Sequence, residues 1–236
     1  MMNKVVVVTG GTKGIGRAII YKFANGGFDI ITCSRNEKEL ENLKEDVEKR
    51  FQGIEVLTRR SDLSLQTEVN DFVKYIISKK SHIEILINNT GVFLPGEISN
   101  EPDGHLETMI NTNLYSAYYL TRGILPLMMY DKRGHIFNIC SIASIKPYAN
   151  GGSYSISKYA MLGMTKVLRE EMKPHGVRVT AVLPGATLTA SWEGIDLPES
   201  RFMKSEDVAD AVFAAYGLSK NSVVEELLIR PQEGDI

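Results

Sequence analysis

Thr9-Gly10-Gly11-Thr12-Lys13-Gly14-Ile15-Gly16 follows directly on the apolar run Val5-Val6-Val7-Val8. The run has the β-branched content of a buried strand, and a helical pattern from about Ile15 to Ala24 follows the glycines. Glycines at 10, 14 and 16 permit a tight turn, close approach of backbone to a pyrophosphate, and close packing of helix on strand. The helix start at Ile15 offers free N–H groups and a partial positive charge to an anion, with Thr12 and Lys13 inside the turn. Lys13 is followed by Gly14 rather than Ser or Thr, so the turn is not a P-loop.

The same strand–turn–helix logic recurs outward from this unit. Short apolar runs at 5–9, 28–33, 55–58, 84–87, 135–139, 178–182 and 226–229 alternate with helical patterns at 15–24, 37–51, 66–79, 106–130, 153–173 and 205–216. Most of the strand candidates are continuously apolar, as in strands buried on both faces of a parallel sheet. Strict alternation predicts an α/β fold, a doubly wound seven-stranded parallel sheet with right-handed crossovers. The chain shows no repeat and no Gly/Ser-rich or Pro-rich linker, which predicts one domain over residues 1–236.

Composition narrows the function class. The 236 residues carry 27 Lys and Arg against 29 Asp and Glu, a net charge of −2. That balance lacks the basic footprint of a nucleic-acid binder. Cys33 and Cys140 are far apart in sequence and sit in no CxxC pattern, and His82, His105, His135 and His175 are scattered without ligand spacing. Neither a disulfide framework nor a metal site is expected. The N-terminal apolar run is too short for a signal-peptide core, and Arg122 interrupts the best candidate for a membrane span. A reduced, soluble, cytoplasmic protein is expected.

The tip of the second strand bears on which nucleotide is held. Folds of this type that prefer NAD end this strand on a carboxylate that holds the ribose 2′-hydroxyl. Here the sequence is Thr32-Cys33-Ser34-Arg35. Ser34 can donate a hydrogen bond and Arg35 can fork onto a 2′-phosphate, with Lys13 as a second cation. The expected cofactor is NADP(H).

Tyr154 and Lys158 stand four apart in a helical segment and so share one face. A free phenol titrates near 10, and a neighbouring ammonium favours its ionised form. With these residues in view, the whole chain resembles the short-chain dehydrogenase/reductase family in its single-domain form. The glycine turn matches the family's motif, Asp62-Leu63 matches its pair after the third strand, and Asn88-Asn89-Thr90-Gly91 matches its Asn-Asn-Ala-Gly motif. Asn113, Ser141, Tyr154 and Lys158 match its tetrad, and Pro184-Gly185, with Thr187 and Thr189, matches its nicotinamide-end motif. Thr90 replaces the commoner alanine, and Cys140 stands where serine is frequent.

The resemblance implies a Rossmann-type fold and an enzyme that reduces carbonyls with NADPH. Tyr154 is then the general acid, Ser141 a hydrogen-bond donor to the carbonyl oxygen, Lys158 the partner of both Tyr154 and the nicotinamide ribose, and Asn113 the holder of a water relaying protons to Lys158. Asp62 and Leu63 would face the adenine, and Asn89, Thr90, Gly91, Pro184, Gly185, Thr187 and Thr189 would complete the cofactor site. It also implies a homodimer or homotetramer through the helices at 106–130 and 153–173.

A lid is expected at about 186–204, over the nicotinamide and the substrate. It carries the chain's one tryptophan, Trp192, which suits a planar heteroaromatic substrate and equally suits an anchor that packs the lid. Lid and tail together are similar to those of the bacterial sepiapterin reductases, which implies a small-molecule carbonyl substrate, a pterin before others. A 3-oxoacyl thioester reductase is the alternative enzyme, although Arg122, Lys132 and Arg133 form no evident docking patch for a carrier protein. A non-catalytic NADP(H)-binding regulator would have no need of the intact tetrad. Glu170-Glu171 and Glu225-Glu226 read as solvated pairs.

Overall fold

The computed structural model describes residues 3–189 and 197–235. Seven strands, β1 (Lys4–Thr9), β2 (Phe28–Ser34), β3 (Val56–Arg60), β4 (Ile85–Asn88), β5 (Gly134–Ile139), β6 (Val177–Pro184) and β7 (Glu226–Ile229), form one sheet in the order 3-2-1-4-5-6-7. Every neighbouring pair is parallel. The crossovers carry α1 (Gly14–Asn25), α2 (Glu37–Arg50), α3 (Gln66–Lys79), α4 (His105–Met109), α5 (Ser116–Asp131), α6 (Gly152–Met172) and α7 (Ser205–Tyr216).

Alternation along β1 shows why its run is continuously apolar. Val6 and Val8 pack with Ile19, Ile20 and Phe23 of α1 and with Val208 and Val212 of α7. Val5 and Val7 pack on the other face with Val69 and Phe72 of α3, Leu120 and Ile124 of α5, and Leu168 of α6. Both faces are dry, so a strand here needs apolar residues at every position. Among the described residues no helix is long and apolar enough to cross a membrane.

One local expectation is corrected. The helix expected over 106–130 is broken into α4, a π-helical turn at Ile110–Tyr115, and α5. Apolar periodicity cannot reveal such a turn, because one wide turn hardly disturbs the face pattern. Its cause is tertiary: Asn113 lies in it, fully buried, with its carboxamide bonded outside the helix. Glu225 and Glu226 are both exposed, as expected of a solvated pair, and each also meets a cation. Buried Arg169 donates to Val179 O at 3.0 Å, to Glu225 O at 2.6 Å and to the Glu225 carboxylate at 3.2 Å, while Glu226 pairs with Lys166 at 3.0 Å. These contacts fasten the edge strand β7 to α6 and β6.

Candidate active site

The chain runs outward from β1 through β2 to β3, then returns to start β4 on the other side of β1. That reversal opens a crevice at the carboxyl ends of β1 and β4, the place where sheets of this kind bind ligands. Thr9, the last residue of β1, locks the two strand tips together. Its Oγ1 accepts from the backbone N–H groups of Asn89 and Thr90, both at 2.9 Å. In return the Asn89 amide donates to Thr9 O at 2.9 Å and Gly10 O at 3.1 Å.

Between these tips the glycine turn is closely fitted. Gly10 and Gly14 have φ of +63° and +51°, a region that side chains disfavour. A Cβ on Gly16 would stand 2.5 Å from both Asn89 Nδ2 and Gly10 O. Gly11, to which sequence reasoning gave no role, is equally constrained, since a Cβ there would come within 2.3 Å of Ile20 and Thr32. Across the turn lies Thr189, whose methyl is 3.0 Å from where a Gly14 Cβ would be. Thr189 follows Pro184-Gly185, and Gly185 is held by its N–H to Ile229 O at 2.8 Å. Thr187 is buried and donates to Gly185 O at 3.0 Å.

At the tip of β2, Thr12 Oγ1 donates to Ser34 Oγ at 3.3 Å, and Arg35 is exposed beside them. Lys13 pairs with Glu39 at 2.8 Å. The sheet register sets Arg60 next to Ser34, adding a second guanidinium that sequence reasoning missed, because strand pairing is invisible in a linear reading. Asp62 follows, accepting from Ser64 N at 3.0 Å and Ser64 Oγ at 2.7 Å. Burial pushes its carboxyl up, but the Ser64 hydrogen bonds and the charges of Arg35 and Arg60 outweigh that and hold it below its ordinary value. Leu63 is buried in the core beneath.

The other end of the crevice holds the tetrad. Ser141 follows β5 and caps a 3₁₀ turn at Ile142–Ser144, its Oγ accepting from Ala143 N at 3.1 Å, which leaves the hydroxyl proton to donate. Lys158 is buried, and its Nζ donates to Ile139 O at 2.8 Å while lying 5.8 Å from the Tyr154 ring centroid. Asn113 Oδ1 accepts from Val92 N at 2.7 Å, and its Nδ2 donates to Val92 O at 3.0 Å and Ser157 Oγ at 2.9 Å. Ser157 in turn donates to Tyr154 O at 2.7 Å. A Cβ on Gly91 would sit 3.3 Å from Asn113 Oδ1 and 3.6 Å from Lys158 Nζ, so a side chain there would lie against both.

Two aromatic residues that sequence reasoning passed over complete this end. Phe93 meets Tyr154 edge to face, centroids 5.0 Å apart and planes at 80°, and Tyr148 lies 6.5 Å beyond Phe93. Trp192 falls outside the described residues. Among the described residues no group of three or more His, Cys, Asp or Glu is placed to hold a metal. The residues present fit a dinucleotide: glycine backbone at a helix start for its phosphates, cations and hydroxyls at the β2 tip, and a buried ammonium beside a phenol at the far end.

Comparison with known proteins agrees with this geometry. The chain is 33% identical to a sepiapterin reductase of Chlorobaculum tepidum, an alignment covering 100% of this chain and 99% of that one. Among solved structures, a metagenomic short-chain oxidoreductase in complex with NADP has a TM-score of 0.85 at 30% identity, with 97% of each chain covered. The L-sorbose reductase of Gluconobacter frateurii, complexed with NADPH and L-sorbose, has a TM-score of 0.89 at 26% identity, covering 97% of this chain and 95% of that one. The family model described as short chain dehydrogenase matches residues 4–199, and the protein belongs to that family.

Proposed function

We propose that this protein is an NADPH-dependent carbonyl reductase of the sepiapterin reductase type, acting on the side-chain carbonyl of a pterin. The observation that carries the chemistry is the buried Lys158 ammonium beside the Tyr154 ring at the crevice end. Bound NADPH supplies a hydride to the carbonyl carbon. Negative charge then builds on the carbonyl oxygen, and Tyr154 gives its phenolic proton to that oxygen. Ser141 donates a hydrogen bond to the same atom, stabilising charge as it develops. Lys158, oriented by Ile139 O, stabilises the phenolate that Tyr154 becomes. Asn113 ties Val92 and Ser157 together and would hold a water that relays protons to Lys158.

At the other end, Gly10, Thr12, Lys13, Gly14, Ile15 and Gly16 would hold the pyrophosphate, and Ser34 and Arg35 the 2′-phosphate. The pterin preference is supported by the full-length similarity to a sepiapterin reductase and by the exposed ring of Tyr148 near the site, against which a flat ring can pack. The test is NADPH oxidation followed by absorbance, with sepiapterin and an acetoacetyl thioester side by side. Turnover of sepiapterin at least ten times faster than of the thioester is expected, and the reverse order would overturn the substrate assignment. Tyr154→Phe should lose at least about 100-fold in turnover, the lower range for a general acid, and keep its affinity for NADPH.

A further inference from the structure

Phe93 stands between two fixed points. On one side, the backbone of Val92 is gripped at both N–H and C=O by the buried carboxamide of Asn113, at 2.7 and 3.0 Å. On the other, Gly96 donates to Asn150 O at 2.9 Å and accepts from Gly152 N at 2.9 Å, so the loop is sewn to the first turn of α6. The same loop sends Glu101 to Ser153, whose hydroxyl and backbone N–H both donate to its carboxylate. Only Phe93, Leu94 and Pro95 lie between the grips, and Pro95 removes one more backbone freedom. The ring of Phe93 is thereby delivered edge to face against Tyr154.

Tyr154 itself carries a long, two-torsion side chain on the first turn of α6. The Lys158 ammonium, 5.8 Å from the ring centre, attracts the phenol without fixing the angle at which its hydroxyl points. An aromatic neighbour does fix a plane, because the ring quadrupoles favour perpendicular contact over sliding. Tyr148 backs Phe93 from behind, and its own ring is seated over Gly151, where a Cβ would come within 2.9 Å of it.

We propose that Phe93 is a positioning residue for the acid, holding the Tyr154 ring at the angle from which its hydroxyl reaches the carbonyl oxygen. The proposal rests on the reading of Tyr154 as the proton donor. A group that sets the angle of the acid matters to the proton-transfer step more than to substrate binding, so its removal lowers kcat and leaves KM nearly alone.

The experiment is steady-state NADPH oxidation by wild type, Phe93→Leu, Phe93→Tyr and Tyr154→Phe, with sepiapterin and a small diketone as carbonyl probes. Melting temperature and NADPH affinity are measured on each variant. Phe93→Leu should lower kcat about 3- to 10-fold on both probes, in line with the worth of one aromatic pair, with KM and NADPH Kd within about 2-fold. Phe93→Tyr, which keeps the ring, should restore kcat. A rise in KM with kcat unchanged would make Phe93 a wall of the pocket only and overturn the proposal. Loss of kcat in Phe93→Tyr as large as in Phe93→Leu, tracking a lower melting temperature, would make its role merely structural and overturn it as well. Turnover persisting in Tyr154→Phe would remove the acid assignment and the positioning role together, whereas a dead Tyr154→Phe beside a normal Phe93→Leu would remove the positioning role alone.

Discussion

At the tip of β2 a guanidinium stands where a fold preferring NAD places a carboxylate. Arg35 is exposed, with Arg60 and Asp62 close by and with Lys13 held across the turn by Glu39 at 2.8 Å. A 2′-phosphate held there, as proposed, would meet Arg35, Arg60 and Lys13. The Glu39 carboxyl, held below its ordinary value chiefly by the hydrogen bond from Lys13, would compete with that phosphate for the ammonium. Arg35→Asp should therefore cut the preference for NADPH over NADH by at least about 10-fold, since a charge-assisted hydrogen bond contributes about 1.5–3 kcal/mol and the new carboxylate repels phosphate. Comparison of kcat/KM for the two cofactors checks it, and an unchanged ratio would remove Arg35 from the cofactor site. Ser34 and Arg35 were legible from sequence because they sit at the end of one apolar run. Arg60 was not, because its neighbour in space is 26 positions away and is set only by the β2–β3 register.

Among the elements, α6 carries the proposed acid Tyr154 and its partner Lys158, and its first turn is tied to a distant loop. Its preceding residue, Gly151, offers no side-chain cap, so the free N–H groups at the start need partners from elsewhere. Gly96 O accepts from Gly152 N, and Glu101, from a loop 52 residues earlier, accepts from Ser153 N; its negative charge also suits a helix N-terminus. Glu101→Ala should lower stability by about 1 kcal/mol, as for the loss of an ordinary N-cap, and the melting temperature by about 2–4 °C for a chain of this size. A thermal melt monitored by circular dichroism reads this directly, and an unchanged melting temperature would show that water replaces the carboxylate without cost. The Tyr154–Lys158 spacing along α6 was plain in the sequence, because i and i+4 must share a face. The π turn ahead of α5 was hidden, since what stabilises it is the set of bonds from Asn113 to Val92 and Ser157.

Over the whole molecule, the residues proposed for catalysis gather at the carboxyl edge of the sheet, while a polar cluster closes the amino edge. There Glu84 accepts from Tyr216 at 3.0 Å and lies 3.1 Å from His82, whose other nitrogen bonds Asp131, and Lys4 donates to Tyr216 at 2.9 Å. Burial pushes the Glu84 carboxyl up, yet the contacts with His82 and Tyr216 and the charges of Lys4 and Arg133 outweigh it and hold it below its ordinary value. A carboxyl depressed in the folded state contributes stability above its unfolded pKa, about 4.3, and loses it as pH falls through the folded value. Glu84→Gln should accordingly melt lower at pH 7 and show a smaller further drop between about pH 5 and 3 than wild type. Parallel melts across that range test it; equal slopes would exclude Glu84 as a source of the acid sensitivity. The sequence by itself determined the doubly wound sheet, the glycine turn and the Tyr154–Lys158 pair, because apolar runs, glycine spacing and helical period are local and each has one favourable geometry. Only the tertiary structure decided which residues meet across the chain. Arg60 beside Ser34, Glu101 on α6, Asn113 on Val92 and Phe93 against Tyr154 are contacts between distant segments, fixed by strand order and packing rather than by any local preference.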